Sequence, residues 1–399
     1  MKRIALITLF LMVYCLSAQY CLADERELVI TQTGAAIKQE TEYIDENPDI
    51  NVTIHRVNDC SPGWVAQQIE SGDDFTDLYV VRTNHTGYYD LISRGFCNEL
   101  SSILPLSSRL QGMPQYVLDV ISCDGSFYAV PEMIILESSS YLLCNTKHPL
   151  WQQYDLKNHH SVTDILDMID DLYEKNELDQ WYLWDEYDDE HMYNLCMVGS
   201  VSYMEAIDQI NMRDPEYVSL FNRYDKARQT LRERTTPPER DPLFQTVYLW
   251  NLSLLTNQDY ELVMVAPFSG QEEMLRLVME VVVLNPHAPH KEEAIQYLTH
   301  MIENYPQMES LFLFPDKAGT PLDTSSEIPV LSQPLSQDFV AKIKANTDKI
   351  QIPTDSYLNL FMDEQGISAR DRYFSGYMSF EQFIEYMSKR LMMIANEAK

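Results

Sequence analysis

The chain has 399 residues, 45% of them apolar and 11% aromatic, which is a composition for ordered globular cores and not for disorder. At that length two domains around separate cores are expected. A formal net charge of −32 speaks against nucleic acid and anionic membrane surfaces as partners, and favours a soluble monomer.

The first 23 residues read as a secretory signal: Lys2-Arg3, an apolar run from Ile4 to Ser17, and Cys21-Leu22-Ala23 before acidic Asp24-Glu25, with cleavage expected after Ala23. The apolar run is short for a bilayer span, which needs roughly 20 residues. Cys15 and Cys21 each follow a tyrosine, where lipoprotein signals want a small residue, so a lipid anchor is disfavoured. The expected location is therefore outside the cytoplasm. Beyond the signal lie Cys60, Cys97, Cys123, Cys144 and Cys196, an odd set without a CxxC pair. They read as small buried hydrophobes, with one bridge still open.

Glu27–Thr31 predicts a strand and Ala35–Asn47 a helix stopped by Pro48-Asp49. Ile50–His55 alternates as a second strand, Gly63–Ile69 is a helix, and Leu78–Val81 (LYVV) follows the turn Ser71-Gly72-Asp73 as a third strand. Alternating strands and helices imply an α/β sheet with parallel pairing. In open sheets of this kind ligands bind outside the carboxyl ends of strands, so the loop Arg82 to His85 is a candidate binding loop. Asp124–Glu132 predicts a turn running into a strand, and Ile134–Asn145 continues β-rich. Helices are expected at 162–174, 215–231, 291–305, 337–346 and 380–397, strands at 262–267 and 280–284, and loops at 235–242 and 319–336.

Few motifs carry reactive chemistry. The run Asp185-Glu186-Tyr187-Asp188-Asp189-Glu190-His191 lacks the glycine that turns a calcium loop and reads as a solvated acidic face. His159-His160 and His287 with His290 lack the ligand set of a zinc site and read as surface histidines. No GxSxG, GxGxxG or GxxxxGKS occurs, so serine esterase and nucleotide-binding chemistry have no support. With 61 acidic residues, a glycosidase carboxylate pair cannot be picked out by sequence. No metal or cofactor is implied. Trp181, Tyr182, Trp184 and Tyr187 cluster, and Trp250 stands near Tyr248. Such rings either pack a core or stack on sugar faces in mostly apolar pockets; core packing is the commoner use of any single Trp.

Five segments in order resemble the extracellular solute-binding proteins of ABC importers, in particular the carbohydrate-binding group: Tyr43–Ile54, Ile69–Leu100, Asp124–Asn145, Val265–Tyr305 and Tyr373–Glu397. The stretch Leu150–Asp259 departs most from the family pattern. The resemblance implies an α/β, two-lobed, periplasmic-binding-protein-like (type II) fold with open mixed sheets and a hinge. One lobe would comprise 24–135 plus 262–312, and a second, helix-rich lobe 136–261 plus 313–399. Crossings are expected near Ile134–Ser138, Glu261–Ala266 and Leu313–Ala318. The implied activity is capture of a small sugar or oligosaccharide and delivery to an ABC permease, without catalysis. Carried over segment by segment, the ligand residues would be Thr31, Gln32, Thr33, Arg82, Thr83, Asn84, Glu132, Phe268, Ser269 and Gly270, with Trp181 and Trp184 from the second lobe. Arg82 would donate a fork of hydrogen bonds, Glu132 would accept from hydroxyls, and the Trp rings would stack. Peptides or charged solutes are the alternative cargo, a ligand sensor the alternative role, and a secreted glycosidase the alternative class.

Overall fold

The computed structural model describes residues 26–34, 38–181, 183–184, 188–232, 241–245, 257–315 and 336–397. The expected signal segment, the acids and aromatics at 182 and 185–187, Tyr248, Trp250, residues 316–318 of the third expected crossing and most of the loop 319–336 lie outside them.

The amino-terminal third builds β1 (Arg26–Gln32), α1 (Lys38–Glu46), β2 (Ile50–Arg56), α2 (Pro62–Glu70), β3 (Leu78–Arg82) and α3 (Tyr88–Ser93). It is followed by β4 (Ala129–Leu136) and β5 (Tyr141–Asn145). The middle adds α4 (Val162–Glu174), α5 (Gly199–Ala206) and α6 (Pro215–Arg232), then β6 (Phe244–Gln245) and β7 (Tyr260–Met264). The chain closes with β8 (Leu275–Leu284), α7 (Lys291–Glu303), α8 (Gln307–Leu313), α9 (Gln337–Ala345), β9 (Ile350–Gln351), α10 (Glu364–Phe374) and α11 (Phe380–Glu397).

The larger sheet runs β9-β8-β3-β1-β2, with β4 on the other edge of β8. β1 is parallel to β2 and β3, while β8 is antiparallel to both β3 and β4. Strand β8 is buried on both faces, which is why its sequence LRLVMEVVVL is a near-continuous apolar run and not an alternating one. The Ser-Gly-Asp turn feeding β3 is pinned from several sides. Asp77, wholly buried, accepts from the backbone N–H of Val29 and of His290, each at 2.8 Å. Asn285 Nδ2 donates to the carbonyls of Asp73 and Thr76. These bonds lock the start of β3 to β1 and to the entry of α7. His290, expected at the surface, thus has a structural partner in Asp77.

The smaller sheet is β6-β5-β7, all antiparallel. Side chains alternate across a strand, and here each face meets a different core. Tyr141, Leu143, Leu262 and Met264 join the apolar cluster around the larger sheet. Leu142, Cys144, Val263 and Val265 join a second cluster built on α4, α5, α6, α10 and α11. Within the span 313–399, Phe339, Ile343, Ile350 and Ile352 pack in the first cluster, whereas 358–391 pack in the second. The five cysteines are free thiols, four of them buried. Among the described residues no helix is long and apolar enough to cross a membrane.

Gly199 opens α5 where it presses on the link between β4 and β5: a Cβ there would stand 2.5 Å from the Ser139 carbonyl oxygen. Gly199→Ala is therefore expected to cost about 1–3 kcal/mol by overpacking against backbone, read as a lowered urea midpoint with an unchanged slope.

Candidate functional site

The carboxyl ends of β1 and β3, with the middle of β4, form one polar edge of the larger sheet. Register sets this: Arg82 stands opposite Glu280 on β8, and Glu280 stands opposite Met133 on β4. Arg82 Nε donates to Glu280 Oε1 at 2.7 Å and remains half exposed. Thr31 is buried, its hydroxyl 3.0 Å from that of Thr76. Gln32 is also buried and donates through Nε2 to Glu40 Oε2 at 3.4 Å, whereas Thr33 is exposed. Thr83 is buried, its N–H bonded to the Met279 carbonyl. His85 follows in the same loop, and burial, with Arg82 nearby, holds its imidazole below the usual histidine range.

Glu132 is the most perturbed acid of this edge. It is 1% exposed, its Oε1 has no hydrogen-bond partner, and burial, then the charges of Glu40 and Glu280, push its carboxyl well above the usual range. By itself the group therefore favours its neutral form, whose carbonyl oxygen still accepts a hydrogen bond.

Phe268, Ser269 and Gly270 lie elsewhere, on the link between β7 and β8. Phe268 packs edge-on against Tyr217 at 5.1 Å, the Ser269 N–H bonds to Thr163 Oγ1, and Gly270 takes a left-handed φ of +80°. With Asn158, His160, Asp164 and Glu273 they surround a cavity of about 50 Å³, room for a water or a single hydroxyl. His160, read as a surface residue, is mostly inside and meets Glu273 at 2.5 Å. Trp181 is half-buried against the His148 ring. Trp184 is corrected outright: it is fully buried in the second core, 4.9 Å from Phe244, and presents no face to a ligand. For Trp184 the aromatic signal is a packing signal.

Sequence reasoning missed the cluster that joins these pieces. Arg276, on β8, is 3% exposed. Its Nη2 meets Glu205 Oε2 of α5 at 2.5 Å, its Nη1 donates to the Ser202 carbonyl, and its Nε lies 3.7 Å from Glu137 Oε2. Glu205 also accepts from Ser356 Oγ at 2.8 Å and from the Tyr357 N–H at 2.7 Å. From there the strap 353–359 reaches the loop after β3. The Asp355 N–H bonds to the Thr83 carbonyl, and the Ser356 N–H to the Asn84 carbonyl at 2.8 Å, where Asn359 Nδ2 also donates. The Asp355 carboxylate accepts from the N–H groups of Gly87, Tyr88 and Tyr89, capping the start of α3. The available sequence signal was a lone arginine inside an apolar ten-residue strand. Among the described residues no group of three acids, histidines or cysteines is placed to hold a metal ion.

No family model matches the chain, and no curated protein does. Solved structures do. T. maritima MalE3 bound to maltose is 14% identical, with 92% of this chain and 99% of that chain covered and a TM-score of 0.57. An ABC substrate-binding protein of Listeria monocytogenes in complex with cycloalternan is 12% identical over 94% of this chain and all of its own (100%), with a TM-score of 0.56. An ABC transporter solute-binding protein of Agrobacterium radiobacter K84 in complex with ribitol is 15% identical over 93% and 99%, with a TM-score of 0.58. At these identities the likeness establishes the fold: the mixed α/β, two-lobed fold that the resemblance implied.

Arg276→Met should cost about 3–5 kcal/mol, because it leaves Glu205 and Glu137 inside without a countercharge. Adding Glu205→Leu should recover only part of the loss, because Glu137 stays without a countercharge and the Ser356 and Tyr357 donors lose their acceptor; equal costs for the single and double variants in urea denaturation would refute this. A pH dependence follows from the raised acids. The native state keeps protons on Glu132, and on Glu309, pushed up to about 7 by burial, that the unfolded chain releases near pH 4.5. Stability should therefore fall as pH rises from 5. That fall should be shallower in Glu132→Gln, measured by thermal melting in matched buffers.

Proposed function

We propose that this chain is an extracytoplasmic solute-binding protein that captures a small sugar or oligosaccharide between its two lobes and delivers it to an ABC permease. The observation that carries the reading is near-complete structural coverage, in both directions, of proteins solved with maltose, cycloalternan and ribitol. A second support is the loop Arg82 to His85, which stands at the carboxyl end of β3, where open α/β sheets receive ligands. The signal-like residues 1–23 are consistent with export.

In this reading the lobes divide as 24–135 plus 262–312 and 136–261 plus 313–399, except that Phe339, Ile343, Ile350 and Ile352 pack with the first core, and the monomer is the working unit. Arg82, Thr83, Asn84 and Glu132 serve from the first lobe, the Phe268–Gly270 link from the seam, and Trp181 from the second lobe. The lobes close as hinged bodies around solute. Trp184 is not part of the site. A charged solute is the second reading, favoured by the acids Glu40, Glu132 and Glu280 gathered at one edge. We read the chain as a binder and not as a hydrolase; product release from labelled oligosaccharides would overturn that.

Calorimetry against a panel of neutral glycans, amino sugars and peptides tests the proposal. Binding of a glycan in the micromolar range, weakened at least about tenfold by Arg82→Ala, is the expected outcome. Tight peptide binding with no heat from any glycan would remove the sugar claim.

A further inference from the structure

Among the described residues three segments pass between the two cores. Residues 137–140 lead from the larger sheet to the smaller, residues 265–274 lead back, and the strap runs from Ile352 in the first core to Leu358 in the second. All three meet at Arg276, near the start of β8. Its carbonyl accepts from the Glu137 N–H at 3.0 Å, and its N–H donates to Ser140 Oγ at 3.1 Å. The Ser140 carbonyl in turn accepts from the Val265 N–H at 3.0 Å. The Arg276 side chain reaches Glu205 of α5, and Glu205 holds Ser356 and Tyr357 of the strap.

The grip of the guanidinium is uneven. Nη1 and Nη2 both donate to α5, to the Ser202 carbonyl and to Glu205. On the other side Nε stops 3.7 Å from Glu137 Oε2, beyond hydrogen-bond reach, and both atoms are buried without a partner. Glu137 is drawn the other way through Oε1, which accepts from Ser139 Oγ and, at 3.0 Å, from Ser202 Oγ of α5. A buried donor and a buried acceptor that face each other unbonded cost free energy, and a shift of about 1 Å would join them. Helix α5 keeps them apart, because it holds both the far end of the guanidinium and the other oxygen of Glu137.

We propose that Arg276 is a two-position hinge pin. Paired with Glu205 it holds the lobes in the arrangement described above; when α5 turns away from β8 it passes to Glu137 and slackens the strap. One buried cation between two carboxylates gives the hinge two discrete positions. The change reaches the loop after β3, because the strap bonds the carbonyls of Thr83 and Asn84. Through Asp355 it also holds the N–H groups of Gly87, Tyr88 and Tyr89. Lobe position and loop geometry are thus one coupled variable. The inference rests on the solute-binding reading above and names the device that sets the resting angle of its lobes.

Two variants that pull in opposite directions test it on the full chain, without solute. Hydrogen exchange reads residues 83–89, and paired spin labels read the distance between lobes. The labels sit at Asp90→Cys and Asn222→Cys, both exposed positions, in a Cys123→Ser background. Glu205→Gln should speed exchange at 83–89 about tenfold and shift the lobe distance. Glu137→Gln should slow exchange there and narrow the distance distribution. Ser356→Ala leaves every charge in place and should speed exchange at 83–89 as well, which keeps the claim testable if Glu205→Gln folds poorly. A merely structural role would move both acid variants the same way, and that result overturns the inference. So does an unchanged lobe distance in Glu205→Gln, unchanged exchange at 83–89 in all three variants, or an equal rise in exchange across β1 and α6. Failure here leaves the capture reading standing, since no solute is present, and a failure to bind any glycan leaves the hinge result untouched.

Discussion

A guanidinium held inside a protein dictates terms to everything around it. Arg276 is placed by the apolar strand β8, which is anchored on both edges, so it cannot retreat to solvent. Its charge must be answered where it stands, and the answers come from the link after β4 (Glu137), from α5 (Glu205 and the Ser202 carbonyl) and, through Glu205, from the strap 353–359. Through Glu205 the arginine ties β8 and α5 to the strap, and the strap in turn holds the carbonyls of the loop after β3. Pairs of this kind add little net stability, but removing one partner is costly, so they act as constraints on geometry.

That constraint bears on the loop Arg82 to His85. The carbonyls of Thr83 and Asn84 are already taken by the strap, and the start of α3 is capped by Asp355. The loop therefore offers a ligand the Arg82 side chain and little free backbone.

Local pattern made the fold legible. The alternation of INVTIH, the continuous LYVV, the amphipathic 162–174 and the Pro48 stop each report a local rule, and each appears as read. The site was legible only as far as topology reaches. Arg82 to Asn84 follow from a strand end, whereas Glu132 sits in the middle of β4 and follows only from the expected crossing. Trp184 shows the limit: a Trp in an aromatic run carries the same sequence signal whether it faces a sugar or a core, and only the packing against Phe244 decides. The Arg276–Glu205–Ser356 chain was beyond reach for another reason. Its members are separated by 71 and 151 residues, and no periodicity connects a strand arginine to a helix acid so far away.

The small sheet has one more consequence. Because β5 and β7 send alternate side chains into two different cores, the border between the folding units is a plane of backbone, not a point on the chain. No cut in the gene separates them cleanly: either fragment would carry away a strand with one greasy face uncovered. A lineage inheriting this architecture can exchange loops and helices freely on the outside, but it must pass on the two halves as a single heritable unit.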